Sequence, residues 1–287
     1  MKILIYGQGW IGTQISLFLN RKCLFGKARI ENYKDVAAEL DGIKPDVVIN
    51  AAGRTGDPNI DWCLDHRAET AESNTFGPAV LARACAERDI YLVHLSTGCL
   101  WNEYPPDKPK GFCEIDEPKP NSFYSITKVG GEAWVFWLHA RSLILRIRMP
   151  FGNRPHKRSL ITKLLSIPDG GVLINEPNSL TCISDFIMVL GDLIDVRATG
   201  IYHVVNPGPV RNHDIIQMCY DEGIIDRLPE LELVGKDEFH ARNVTRDGRS
   251  NCILDTTKLE STLGFRLRHS NEALASCINC LEMLKSL

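Results

Sequence analysis

Lys2-Ile3-Leu4-Ile5-Tyr6-Gly7-Gln8-Gly9-Trp10-Ile11-Gly12 opens the chain with an apolar run that breaks into three spaced glycines. The run lacks polar–apolar alternation, so it reads as a parallel strand covered on both faces. Ile15, Leu17, Phe18 and Leu19 continue it in a helical pattern. A strand, GxGxxG and a helix in that order make a dinucleotide-binding turn. Gly7 permits the bend, Gly9 lets backbone approach a pyrophosphate and Gly12 lets helix pack on strand, with Gln8, Trp10 and Ile11 completing the loop. A glycine-rich turn that binds nothing is the alternative.

Outward from this turn, a second strand falls near residues 23–25 and runs into Gly26-Lys27-Ala28-Arg29. An acid at this strand end favours NAD, and a base favours the 2′-phosphate of NADP. Lys27 and Arg29 therefore point to NADPH, while Glu31 keeps NADH open. Residues 45–50 form a further buried strand ending in Ala51-Ala52-Gly53, whose small side chains leave room for a cofactor. A helix is expected over about 62–88 and carries Asn74. Residues 90–95 form a strand that runs into Ser96-Thr97-Gly98-Cys99, at the kind of strand end where open α/β sheets bind ligands.

Tyr124-Ser125-Ile126-Thr127-Lys128 puts a tyrosine and a lysine one turn apart on one helix face. An ammonium beside a phenol favours the phenolate, so Tyr124 is expected to be more acidic than a free phenol. Gly130-Gly131 weaken this helix, and Trp134 and Trp137 carry it on. A strand over 142–148 closes the series.

After Pro150 the rhythm loosens. Residues 171–174 and 200–205 read as strands, and 160–165, 184–195 and 213–222 as helices. The expected fold is α/β: a Rossmann-type doubly wound parallel sheet over 1–150 and a smaller C-terminal substrate-binding domain over 151–287. Segments within about 171–205 are expected to return to the sheet. Lys and Arg number 33 against 36 Asp and Glu, a balance that argues against a nucleic-acid or anionic-membrane partner. No apolar run approaches the ~20 residues of a membrane helix, and the N-terminus lacks a signal-peptide core. A cytoplasmic protein with reduced thiols is expected. Cys277 and Cys280 form a CxxC in a helical tail, read as structural with no metal. The sequon Asn243-Val244-Thr245 is expected to go unused in that compartment.

The order of GxGxxG, Asn50-Ala51-Ala52-Gly53, helical Asn74, a Ser-Thr strand end and YxxxK resembles the extended short-chain dehydrogenase/reductases. Gly53-Arg54-Thr55-Gly56, Asp61-Trp62-Cys63, Thr97-Gly98-Cys99, Arg148-Met149-Pro150, Ile161-Thr162-Lys163 and Arg249-Ser250-Asn251 narrow the likeness. They are most similar to the bifunctional nucleotide-rhamnose synthase/epimerase-reductase family. One departure is the glycine loop, a residue shorter than the GxxGxxG common in extended members.

The resemblance implies that Tyr124 protonates a C4 ketone oxygen while NADPH supplies hydride. Lys128 would hold the nicotinamide ribose, Thr97 would bond the same oxygen, and Asn74 would order backbone or water. It also implies epimerisation at C3 and C5, whose protons are acidic beside the ketone and whose inversion needs two proton-exchanging groups. Cys99 and Lys163 match the family's pair, and Arg249 is placed to clamp the substrate diphosphate. A homodimer through the helices near 62–88 and 122–138 is implied, with the keto sugar coming from a separate 4,6-dehydratase. The sequence leaves UDP or dTDP open. A reductase alone and a non-catalytic NADP-binding regulatory subunit are the alternatives.

Overall fold

The computed structural model describes residues 1–57 and 59–285. β1 (Lys2–Tyr6), β2 (Lys22–Phe25), β3 (Val47–Asn50), β4 (Tyr91–Thr97) and β5 (Ser142–Ile147) come first. β6 (Pro150–Phe151), β7 (Val172–Ile174), β8 (Asn178–Cys182), β9 (Gly200–His203), β10 (Asn206–Val210) and β11 (Glu232–Val234) follow. Six parallel strands form the central sheet in the order β2-β1-β3-β4-β5-β9. Strand order reverses between β1 and β3, which opens a crevice at their carboxyl ends.

Alternate residues of each strand enter different cores. Ile3, Ile5, Val47, Ile49 and Val93 pack with Ile15 of helix Trp10–Phe18 and with Phe186 and Leu190 of helix Ile183–Asp195. Leu4, Val48, Leu92 and Ile144 pack on the other face with residues of helices Tyr33–Ile43, Gly77–Ala86 and Phe123–Leu138. Burial on both sides is why these strands read as unbroken apolar runs. The doubly wound α/β sheet is as expected. Within residues 171–205, β9 joins this sheet, whereas β7 pairs with β11 and β8 lies between β10 and β6. A second core gathers Phe151, Leu160, Leu164, Leu180, Ile215 and Leu274 beneath helix Ser270–Lys285.

The helix expected over 62–88 is corrected. It consists of helices Asp61–Asp65 and Arg67–Ala71, a π-helical turn Glu72–Phe76 and helix Gly77–Ala86. His66 leaves helical geometry at φ −120, ψ 54. Pro78 has no N–H to give the Asn74 carbonyl four residues back, and the Gly77 N–H reaches five back to Glu72. The widened turn packs against helix Phe123–Leu138 at Gly131, where a Cβ would collide with the Asn74 carbonyl. The Gly130-Gly131 pair is a backbone-to-backbone contact as well as a weak point in propensity.

Candidate active site

The crevice beside β1 is built for close backbone approach. Gly7 has φ +101, and a Cβ there would collide with the Ala51–Ala52 peptide; a Cβ on Gly12 would collide with the Gly7 carbonyl. Gly9 caps helix Trp10–Phe18 without a side-chain hydrogen bond, has open space where a Cβ would point, and is followed by no acid in the first turn. The helix therefore presents bare N–H groups and its positive end to the crevice, a fit for a pyrophosphate. Gln8 is exposed, Ile11 half-buried, and Trp10 stacks on His156 with ring centroids 4.9 Å apart. Lys27 and Arg29 are both exposed just past β2. Arg29 lies 3.5 Å from Glu31, so the acid that kept NADH open is engaged by a neighbouring base.

Lys128 is buried, at 5 % exposure, and its Nζ donates to the Leu95 carbonyl at 2.8 Å. Burial lowers its pKa to about 8, against an opposing pull from Glu132 one turn along. A Cβ on Gly53 would lie 4.0 Å from this Nζ, so the amine faces the end of β3. Burial and the Cys99 thiol raise the Tyr124 phenol above its usual value, outweighing the lowering pull of Thr97. The expected acidification by Lys128 is therefore corrected. In this structure the ammonium serves the Leu95 carbonyl, and Thr97 is the group that stabilises phenolate. Tyr124 is protonated at neutral pH, the state in which it can give a proton. Asn74 accepts from the Arg54 N–H at 2.7 Å and donates to the Arg54 carbonyl at 2.9 Å and to Thr127 Oγ1 at 3.1 Å. It ties the loop after β3 to the helix that carries Tyr124.

Cys99 lies just beyond β4, and its N–H donates to Thr97 Oγ1 at 3.1 Å. Lys163, on helix Leu160–Leu165, lines a cleft of about 550 Å³ together with Arg249, Arg158, Lys157, Leu164, Leu173 and Phe239. Burial, then Arg158 and Arg249, lowers the Lys163 pKa, and the Cys99 thiol opposes them. The same thiol acts on Tyr124 and Arg249. Electrostatic interactions thus link Cys99 with Tyr124, Lys163 and Arg249, while Lys27 and Arg29 lie past the end of β2.

Sequence reasoning missed Arg148, Arg158 and Glu132. Arg158 Nη1 donates to Thr55 Oγ1 at 2.8 Å and the Gly56 carbonyl at 2.5 Å, and Lys157 pairs with Asp57 at 2.9 Å. Glu132 and Arg146 form a buried ion pair, with Ser96 Oγ donating to the carboxylate at 2.7 Å. The available signal was two arginines, 146 and 148, in an otherwise apolar strand, because a buried charge needs partners. Cys277 lies 3.8 Å from Cys182, sulfur to sulfur. Among the described residues, no cluster of His, Cys, Asp or Glu could hold a metal.

An open parallel sheet with a glycine turn at its switch point, and a Tyr–Lys pair beside a threonine, defines a dinucleotide-dependent reductase scaffold. The chain belongs to the RmlD substrate binding domain family, whose model matches residues 1–283. It is 33% identical over 268 residues to the bifunctional dTDP-4-dehydrorhamnose 3,5-epimerase/dTDP-4-dehydrorhamnose reductase of Arabidopsis thaliana, covering 90% of this chain and 86% of the relative. The crystal structure of the L780 UDP-rhamnose synthase from Acanthamoeba polyphaga mimivirus superposes with a TM-score of 0.89 at 29% identity, over 98% of this chain and 99% of that one. A Bacillus anthracis dTDP-4-dehydrorhamnose reductase in complex with NADP shares the fold at a TM-score of 0.82 and 21% identity, over 96% and 97% of the two chains.

Proposed function

We propose that this protein inverts C3 and C5 of a nucleotide-linked 4-keto-6-deoxy-glucose and reduces C4 with NADPH, giving a nucleotide-L-rhamnose. One observation supports this reading: the Cys99 thiol interacts electrostatically with both Tyr124 and Lys163. A reductase alone has no use for that second pair. Two relatives named for both activities or for rhamnose synthesis support it.

The loop Gly7–Gly12, Ala51, Ala52 and Gly53 hold the dinucleotide, and Lys27 and Arg29 meet its 2′-phosphate. The cofactor supplies the hydride, with NADH a weaker substitute. Lys128 holds the ribose, Tyr124 gives its proton to the C4 oxygen, and Thr97 stabilises the charge developing there. In epimerisation, Cys99 from the β4 end and Lys163 from the second core exchange protons with the ring carbons. Thr97 and Tyr124 bond the enolate oxygen. Asn74 keeps the β3 loop and the Tyr124 helix in register. Arg249 grips the diphosphate. Residues 1–150 furnish the cofactor half and 151–287 the substrate half. The protein works as a cytoplasmic homodimer fed by a separate 4,6-dehydratase; its ten cysteines, all free, suit a reducing compartment.

Cys99→Ala and Lys163→Ala should lose solvent-deuterium exchange at C3, C5 or both by about a hundred- to ten-thousand-fold. Both should still reduce a ketone that already has the rhamno configuration. Tyr124→Phe should still exchange deuterium, at a reduced rate with Thr97 alone on the enolate oxygen, and fail to oxidise NADPH. Wild-type exchange in both alanine variants would leave a reductase alone.

A further inference from the structure

Arg148 follows β5 and is 1 % exposed, yet among the described residues no carboxylate meets its guanidinium. Nε donates to Asn178 Oδ1 at 2.6 Å, Nη1 to the Gly98 carbonyl at 3.0 Å and Ser250 Oγ at 3.1 Å, and Nη2 to the Ser250 carbonyl at 2.7 Å. These are all neutral acceptors, and they leave one N–H of the guanidinium over. The Cys252 and Cys99 sulfurs both act electrostatically on the guanidinium and favour its charge. Gly98 secures this placement: a Cβ there would lie 3.3 Å from Arg148 Cβ, so the arginine stem packs directly against the residue before Cys99.

A buried cation without a counter-ion is costly, and a fold retains one where negative charge forms beside it. The Cys99 thiol acts on Tyr124 from helix Phe123–Leu138, Lys163 from helix Leu160–Leu165, Arg249, Arg148 and the Cys252 thiol. None of these five is a carboxylate. Cys252 donates its thiol proton to the Gly98 carbonyl at 3.5 Å, and burial raises its pKa, so it stays neutral.

We propose that Arg148 is a positioning residue, the fixed counter-ion that stabilises negative charge on Cys99 sulfur and so makes that thiol the exchanging group in epimerisation. The proposal rests on the epimerase reading above. In the step, the thiolate takes a proton from C3 or C5, and the electron pair of the broken C–H bond passes into an enolate with its charge on the C4 oxygen. Inversion is completed when the Lys163 ammonium delivers a proton to the opposite face of that carbon, the enolate electron pair forming the new C–H bond, and solvent then restores the Cys99 thiolate and the lysine's proton. Arg148 serves the sulfur end of this transfer, and Thr97 and Tyr124 serve the oxygen end.

The test compares Arg148→Gln, which removes the charge, with Arg148→Lys, which keeps it. Cys99 alkylation by neutral iodoacetamide at neutral pH is followed by peptide mass spectrometry, a readout that needs no substrate. Arg148→Gln should slow labelling of Cys99 about ten-fold or more and leave Cys23 and Cys113 unchanged. Arg148→Lys should restore most of the rate. Deuterium exchange at C3 and C5 should fall in parallel, while reduction of a rhamno-configured ketone persists. Unchanged labelling of Cys99 in Arg148→Gln would overturn the proposal. Should that variant fail to fold, wild-type protein decides: Cys99 must label faster than Cys23 and Cys113, which are similarly part-buried, and a slower rate overturns the assignment. If wild type exchanges no deuterium but Arg148→Gln still slows Cys99, the epimerase reading fails and the counter-ion stands.

Discussion

Lys128 shows how burial and function meet at a single residue. Its ammonium is held by one neutral carbonyl, and desolvation brings its pKa down to about 8. A depressed value on a cation means that the charge is present below that pH and lost as pH rises through it. Reduction depends on this ammonium, so kcat/KM for the ketone should fall on the alkaline side at about pH 8, since kcat/KM reports the free enzyme. Glu132 pulls the other way, so a variant lacking its carboxylate should move the fall to lower pH. NADPH oxidation measured across pH checks both, and a profile flat well past that point would remove the charge from the mechanism. The Tyr–Lys pair was legible from its spacing taken with the strand order and the glycine turn before it. That Lys128 would turn to Leu95 and away from the phenol was not, because spacing sets a shared helix face and says nothing of carbonyls on a neighbouring strand.

At the scale of elements, the contact between the π-turn and helix Phe123–Leu138 sets where Tyr124 and Lys128 stand. Gly131→Ala places a methyl against the Asn74 carbonyl, whereas a Cβ on Gly130 meets the Thr75 methyl at 3.0 Å. The first should cost roughly 1–3 kcal/mol through overpacking and weaken reduction. The second should be close to neutral, because alanine's gain in helix propensity of about 1 kcal/mol offsets a milder clash. Thermal unfolding of the two variants checks the contrast, and equal melting shifts would refute it. The strands were readable because burial on both faces leaves an unbroken apolar record. The break between residues 61 and 86 was not, since it depends on a partner helix whose glycines look like a local defect. Cys99 and Lys163 were found through their resemblance to a known pair; Arg148 needed the fold, which alone shows that its partners are neutral.

At the scale of the whole molecule, Trp137 is 81 % exposed, and Trp134, Phe136, Phe76 and Ile126 add apolar surface on the same helix and on the π-turn. Exposed surface of this kind fits the proposed dimer. Trp137→Glu should shift the mass in sedimentation from dimer to monomer while leaving the fold intact, and a wild-type monomer at micromolar concentration would sink the proposal. The sheet itself carries a different consequence, for the order in which the chain can settle during synthesis. Phe186, Leu190 and Leu193 roof one face of the sheet, and β9 covers the β5 edge. A ribosome that has delivered only the first 150 residues has delivered all of the glycine turn and the Tyr–Lys helix. It has left one greasy face covered only by helix Trp10–Phe18 and one strand edge unpaired, so the nascent chain must wait for about residue 203 before its sheet can close.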